Sequence, residues 1–175
     1  MHSNAQIVLN IVCFQLLWWA CVLSPLYGFG LAVFALCLLF AIVHLQCIEG
    51  WSQALPLLLT ALVGCLFDQL GYVIGMVDFN QHHQWVSYIP LWMVALWLAF
   101  ACTLNISLRW LASRLQLAFL LGAVFGPLAY WGAAKLGAIV LPEQMLSLVW
   151  LSLGWGLLLP LMLRIRAIYL NCGSQ

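Results

Sequence analysis

The chain has 175 residues, of which 67% are hydrophobic and 5% charged, and a net charge of +1. A soluble domain carries roughly 25% charged residues, and a soluble chain this apolar could not cover its own surface with polar groups. In a bilayer the requirement reverses, so composition places most of the chain in hydrocarbon. Five Lys and Arg residues are too few for the clustered basic face that nucleic acid needs, which excludes that class of partner.

A helix that crosses the bilayer core needs about 20 apolar residues. Six such runs follow one another, at about Gln6–Leu23, Tyr27–Cys47, Leu55–Val77, Tyr88–Leu111, Leu115–Leu136 and Pro142–Ile165. The expected fold is all-α: residues 1–175 form a single integral membrane bundle of six transmembrane helices. Short connections make neighbouring helices antiparallel hairpins. Ser24 and Pro25 break the first run from the second, and Gly50 and Pro56 flank the next turn. The longest loop is Asp78–Val86, reading DFNQHHQWV. Pro142 suits the first turn of the last helix, where no backbone donor is needed. Met1–Gln6 lacks Lys and Arg and no A-x-A site follows, so the first run is expected to stay as a membrane helix.

Basic residues set the orientation. Arg109 and Arg114 lie at the fourth turn, and Arg164 and Arg166 at the end of the sixth helix. With six crossings these share a side with the N-terminus, and only Lys135 dissents, which predicts both ends in the cytoplasm. The loop with His82 and His83 then faces outward, as does Glu143. Trp51, Trp85, Trp110 and Trp131 lie near helix ends, where indoles favour the interface. Trp18, Trp97 and Trp155 lie deeper and read as packing residues.

Cys13, Cys21, Cys37, Cys47, Cys65 and Cys102 fall inside apolar runs and Cys172 in the tail, with no C-x-x-C pair and no zinc-type spacing. They read as small apolar residues. Adjacent His82 and His83 near Asp78 do not specify a metal site, and no cofactor is expected.

The third run is the most informative. Ala61, Gly64, Asp68, Gly71 and Gly75 recur at spacings of three and four and share a face. Small residues there let a neighbour approach closely, and Asp68 within the stripe points into the bundle. A charged Asp at that depth costs about 2.5–3.5 kcal/mol on insertion scales, so it is either a functional group or a protonated hydrogen-bonding one. Gly122, Gly126, Ala129 and Ala133 form a second stripe on the fifth helix, offered as the matching surface or as the face of a homodimer. Pro127 removes a backbone bond there, and Tyr130 lies about one turn on. Asn10, Phe14 and Trp18 step by four along the first helix with Gln15 beside them, while Asn105 and Arg109 share a face on the fourth. Asn10, His44, Asn105 and Arg109 are expected in the cytoplasmic half, Asp68 and Tyr130 nearer the middle. His44, close to Gln46 and Glu49, reads as interfacial.

No H-x-x-x-H set, H-E-x-x-H, G-x-S-x-G or P-loop is present, and no helix carries rows of basic residues, which excludes voltage sensing. Whether the chain is an enzyme is left open by the residues.

Several motifs span nearly the whole chain: Asn10-x3-Phe-Gln-x2-Trp18, Asp68-x-Leu-Gly71, Pro90-x-Trp92, Trp97-x2-Phe-Ala-x-Thr-Leu-Asn-x-Ser107 and Gly122-Ala-x2-Gly-Pro-Leu-x-Tyr130. In these the chain resembles an uncharacterised family of small polytopic bacterial inner-membrane proteins, a domain of unknown function. The resemblance implies a bacterial inner-membrane location and tilts the reading towards membrane lipid chemistry, without supplying an activity. The leading expectation is a binding or accessory protein for a lipid-like ligand in membrane lipid metabolism. Trp18 and other tryptophans would line an apolar cavity, and Asn10, Gln15, Asp68, Asn105, Arg109 and Tyr130 are the candidate polar contacts. The rivals are a membrane-embedded lipid-modifying enzyme with Asp68 as general acid or base, and a small proton-coupled carrier with Asp68 as the proton site.

Overall fold

A computed structural model describes residues 3–79 and 88–172, the side chains of residues 171 and 172 excepted. His82, His83 and Trp85 lie outside the described residues, as does the Cys172 side chain. The elements are α1 (Asn4–Tyr27), α2 (Gly30–His44), α3 (Ala54–Val73), α4 (Leu91–Ala101), α5 (Leu115–Lys135) and α6 (Gln144–Cys172). Five membrane-length apolar helices are present among the described residues, at Asn4–Tyr27, Gly30–Glu49, Trp51–Val73, Leu115–Lys135 and Gln144–Leu170. The chain is an all-helical, multi-pass membrane protein.

Each boundary has a local cause. Ser3 opens α1 with a reciprocal cap: its Oγ accepts from the Gln6 N–H at 3.2 Å, while its own N–H donates to Gln6 Oε1 at 2.9 Å. Ser24 and Pro25 do not break the helix, contrary to expectation. Proline leaves the carbonyl four residues back without its usual donor, and here Ser24 Oγ donates to that carbonyl, Cys21 O, at 2.8 Å. The helix therefore runs on to Tyr27 and closes at Gly28, whose φ of 74° suits glycine. The last helix starts at Gln144, so Pro142 lies just before it and not in its first turn. Pro127 and Pro160 both sit inside helices. For Pro127 the vacated carbonyl is Ala123 O, which accepts Ser152 Oγ from α6 at 2.8 Å.

The fourth helix is the main correction. The expected helix over Tyr88–Leu111 is α-helical only from Leu91 to Ala101, about 16 Å at helical rise, or roughly half a bilayer core. Beyond it the backbone winds through tight turns (Thr103 N–H to Phe100 O at 2.8 Å, Ile106 N–H to Thr103 O at 3.2 Å) before a short 3-10 turn at Arg109–Leu111. Thr103, Asn105 and Ser107 compete with the helical ladder for backbone partners; Thr103 Oγ1 donates to Phe100 O at 2.7 Å. Residues 101–107 are all buried, as irregular backbone at membrane depth must be. The unwinding also parts Asn105 from Arg109. They no longer share a face: Asn105 is buried and Arg109 exposed.

In the bundle α1 packs on α2 and α4, α2 on α4, α3 on α4 and α6, and α5 on α6. At the end near Gly75 and Gly137, Asp78 and Val140 exchange two backbone bonds of 2.8 Å, tying two connections together.

The two small-residue stripes are not each other's partners. Gly64 seats the Trp97 indole of α4, Gly71 receives Trp150 of α6, and Gly122 and Gly126 receive Trp155 of α6. Gly154 of α6 in turn receives Phe67. Glycine is required where an indole lies flat against backbone, because a methyl there would overlap it. Gly122→Ala is expected to destabilise by about 1–3 kcal/mol through overpacking, since the added Cβ would strike the Trp155 backbone carbonyl. Gly132→Ala on the same helix meets only Trp18, at 3.8 Å, and should be neutral or mildly stabilising. Thermal unfolding of both variants in detergent checks the contrast.

Candidate functional site

The buried polar side chains gather in two places. The first surrounds Asp68 on α3. Tyr130 of α5 donates its hydroxyl to Asp68 Oδ1 at 2.5 Å, and Trp97 of α4 donates its indole N–H to Oδ2 at 2.6 Å. Asp68 is 1% exposed, so three helices converge on a carboxyl removed from lipid. Each oxygen receives one donor. Trp97 stacks on Trp155 with ring centroids 4.9 Å apart, and Phe100 meets both edge-on at 5.8 and 5.3 Å. Such pairs add roughly 0.5–1.5 kcal/mol each beyond area burial, so Trp97 is fixed before it donates.

Beside this group a cavity of about 620 Å³ lies between α1 and α4 on one side and α5 and α6 on the other. It follows α5 from Leu121 to Ala133, about 18 Å at helical rise. Phe14, Trp18, Trp97, Phe100, Tyr130 and Trp155 are among its aromatic walls, and no charged residue among those described lines it. Gln15 is exposed and contributes an amide to the lining. The Trp155 indole N–H is buried beside the Tyr130 ring and makes no hydrogen bond. Asp68 stands behind this wall and meets the cavity only through Tyr130 and Trp97.

The second polar group is centred on Glu49. After His44, α2 widens into a π turn, Leu45–Glu49, and a 3-10 turn at Trp51–Gln53 follows. A π turn brings residues five apart onto one face, and His44 Nε2 lies 2.8 Å from Glu49 Oε1. Glu49 Oε2 also accepts from Arg166 of α6 and, at 3.0 Å, from Asn105 of the unwound α4 segment. Arg166 further donates to Gln53 O at 3.1 Å. Asn10 of α1 completes the group, donating to Cys102 O at 3.2 Å and accepting from Ser107 Oγ at 2.8 Å. His44, Asn105 and Arg166 are each at most 4% exposed.

The structure thus divides the expected candidates. Asp68 and Tyr130 meet; Gln15 and Trp18 line the cavity beside them; Asn10 and Asn105 belong to the Glu49 group; and Arg109 lies on the exposed surface, apart from both. His44 is buried and paired with Glu49. Glu49, Gln53 and Arg166 were not legible as partners, because Arg166 reads in sequence as an orientation marker and 117 residues separate it from Glu49. Trp97 carries a polar task that its apolar surroundings conceal. No cluster of three or more His, Cys, Asp or Glu side chains fit for a metal occurs among the described residues.

Breaking a buried ion pair by removing one partner costs about 3–5 kcal/mol, whereas replacing both with apolar groups is often neutral. Arg166→Met should therefore destabilise by that amount, and Glu49→Leu/Arg166→Met by markedly less than the sum of its single changes. A double-mutant cycle on thermal or denaturant unfolding in detergent checks this.

No curated protein and no solved structure matches this chain. A family model does, that of a protein of unknown function, DUF2878, over residues 7–161. The matched range holds Asn10, His44, Glu49, Asp68, Trp97, Asn105, Tyr130 and Trp155, so all of both polar groups but Arg166 falls inside it. The chain belongs to the DUF2878 family.

Proposed function

We propose that this protein is a membrane-embedded binding protein for a lipid-like ligand, held in the aromatic cavity between α1, α4, α5 and α6. The observation that carries this reading is the cavity itself. Its volume of about 620 Å³ falls within the roughly 300–1,000 Å³ of small-ligand pockets. Its walls are apolar and free of charge, and its length along α5 suits an elongated hydrophobic molecule. The few polar groups at the wall, Gln15 and Tyr130, have the sparse placement that orients a ligand without solvating it.

The setting of this reading is the bacterial inner membrane, with both termini on the cytoplasmic side, and a role beside the enzymes of membrane lipid metabolism. In it, α4 and the turns after it carry the chain back across as a sixth passage. Supporting that passage, the Glu49 group joins the start of α1, the α2–α3 connection, the end of the α4 segment and the end of α6. A catalytic reading draws less support, because Asp68 does not face the cavity and both its oxygens are engaged.

Native mass spectrometry of protein extracted in mild detergent should reveal one enriched lipid-like species. Ala129→Trp, which fills the cavity from α5, should remove it while the protein still folds. If wild type and variant carry the same bulk phospholipids and nothing else, the reading is wrong.

A further inference from the structure

The two buried acids are treated differently. Glu49 is compensated by Arg166 and His44. Asp68, as deeply buried, pairs with no Lys, Arg or His among the described residues and has only two neutral donors, a phenol and an indole. Neutral donors satisfy the oxygen lone pairs but supply no countercharge. In a low-dielectric interior the charge of an ionised Asp68 acts over a longer range than in water.

Its nearest open space is the cavity. Tyr130 links the two, because its hydroxyl donates to Asp68 while its ring lines the cavity wall. A phenol donating to a carboxylate gains electron density, which strengthens the negative face of its ring. Phe14, Trp18, Trp97, Phe100 and Trp155 bring further aromatic faces to the wall, and cations are attracted to such faces, as Arg114 is to Trp110 at the cavity's edge. Among the described residues no basic side chain lines the cavity to cancel this.

We infer that the cavity selects an amphiphile with a cationic head, a lipophilic amine or quaternary ammonium, whose positive charge lies against Tyr130 and is compensated by Asp68 behind it. The inference rests on the cavity reading above and adds the sign of the ligand's charge. The aromatic wall keeps the carboxylate from direct contact, so recognition is by field and ring face, with no salt bridge formed. That arrangement suits an alkylated nitrogen, which has few or no hydrogens to donate.

The test uses two probes of like size and opposite charge, tetraphenylphosphonium and tetraphenylborate. Each is titrated into the purified full-length chain in a neutral maltoside, read by tryptophan fluorescence and corrected for partition into empty micelles. Wild type should bind the cation at least tenfold more tightly, about 1.4 kcal/mol. Asp68→Asn, which keeps the size of the side chain and one of its two acceptor oxygens but removes the ionisable group, should weaken the cation at least tenfold and leave the anion unchanged or stronger. Equal affinity of wild type for both ions overturns the inference while leaving an apolar cavity standing. So does cation binding that survives Asp68→Asn, as a protonated Asp68 would produce. Binding of neither ion also overturns it, and the lipid mass spectrometry then decides the cavity reading separately. If Asp68→Asn does not fold, the comparison of the two ions on wild type alone decides.

Discussion

Hydrocarbon offers no hydrogen bonds, so every polar group that enters the bundle needs a partner from within the chain. Glu49 shows how far that constraint shapes this fold. Its carboxylate joins α2, α6 and the segment after α4, through His44, Arg166 and Asn105. Three departures from regular α-helix, at Leu45–Glu49, Trp51–Gln53 and Cys102–Leu108, lie around it. The irregular backbone is tolerable because side chains serve its orphaned groups, as Asn10 serves Cys102 O.

Packing elsewhere follows from one device, an indole laid on a glycine. Trp97 on Gly64, Trp150 against Gly71 and Trp155 over Gly126 bring α3, α4, α5 and α6 close, and at Gly122 the Trp155 backbone itself makes the approach. Trp97 and Trp155 also wall the cavity, and Trp97 reaches Asp68, so two of the rings that hold the helices together also form the site. A rigid aromatic lattice of this kind holds Tyr130 and Trp97 in register with the Asp68 carboxyl to which both donate.

Membrane character, the presence of small-residue stripes and the inward direction of Asp68 were legible because each depends on local composition or on helical spacing. Tyr130 stood out for similar reasons, as a polar residue one turn past a proline. The pairing of the stripes was not legible, since spacing gives a face but not the neighbour that covers it. The unwinding of α4 was hidden by hydropathy: Cys102–Leu108 is as apolar on average as a helix, and only the alternation of Thr103, Asn105 and Ser107 marked it. Glu49 and Arg166 were obscured for a different reason. Charges near the ends of apolar runs ordinarily face water, and only the tertiary fold turns these two inward.

The bond from Ser152 to the Ala123 carbonyl ties positions on two helices together. That carbonyl lacks a helical donor because residue 127 is proline, and the hydroxyl at residue 152 fills the vacancy. The hydroxyl is then not free to be lost while the proline remains. Loss of the proline would restore the helical donor and remove the need for the hydroxyl, and loss of the hydroxyl would strand a carbonyl against an indifferent neighbour. The dependence runs one way, and across diverging copies of this chain the hydroxyl should be lost only where the proline has gone.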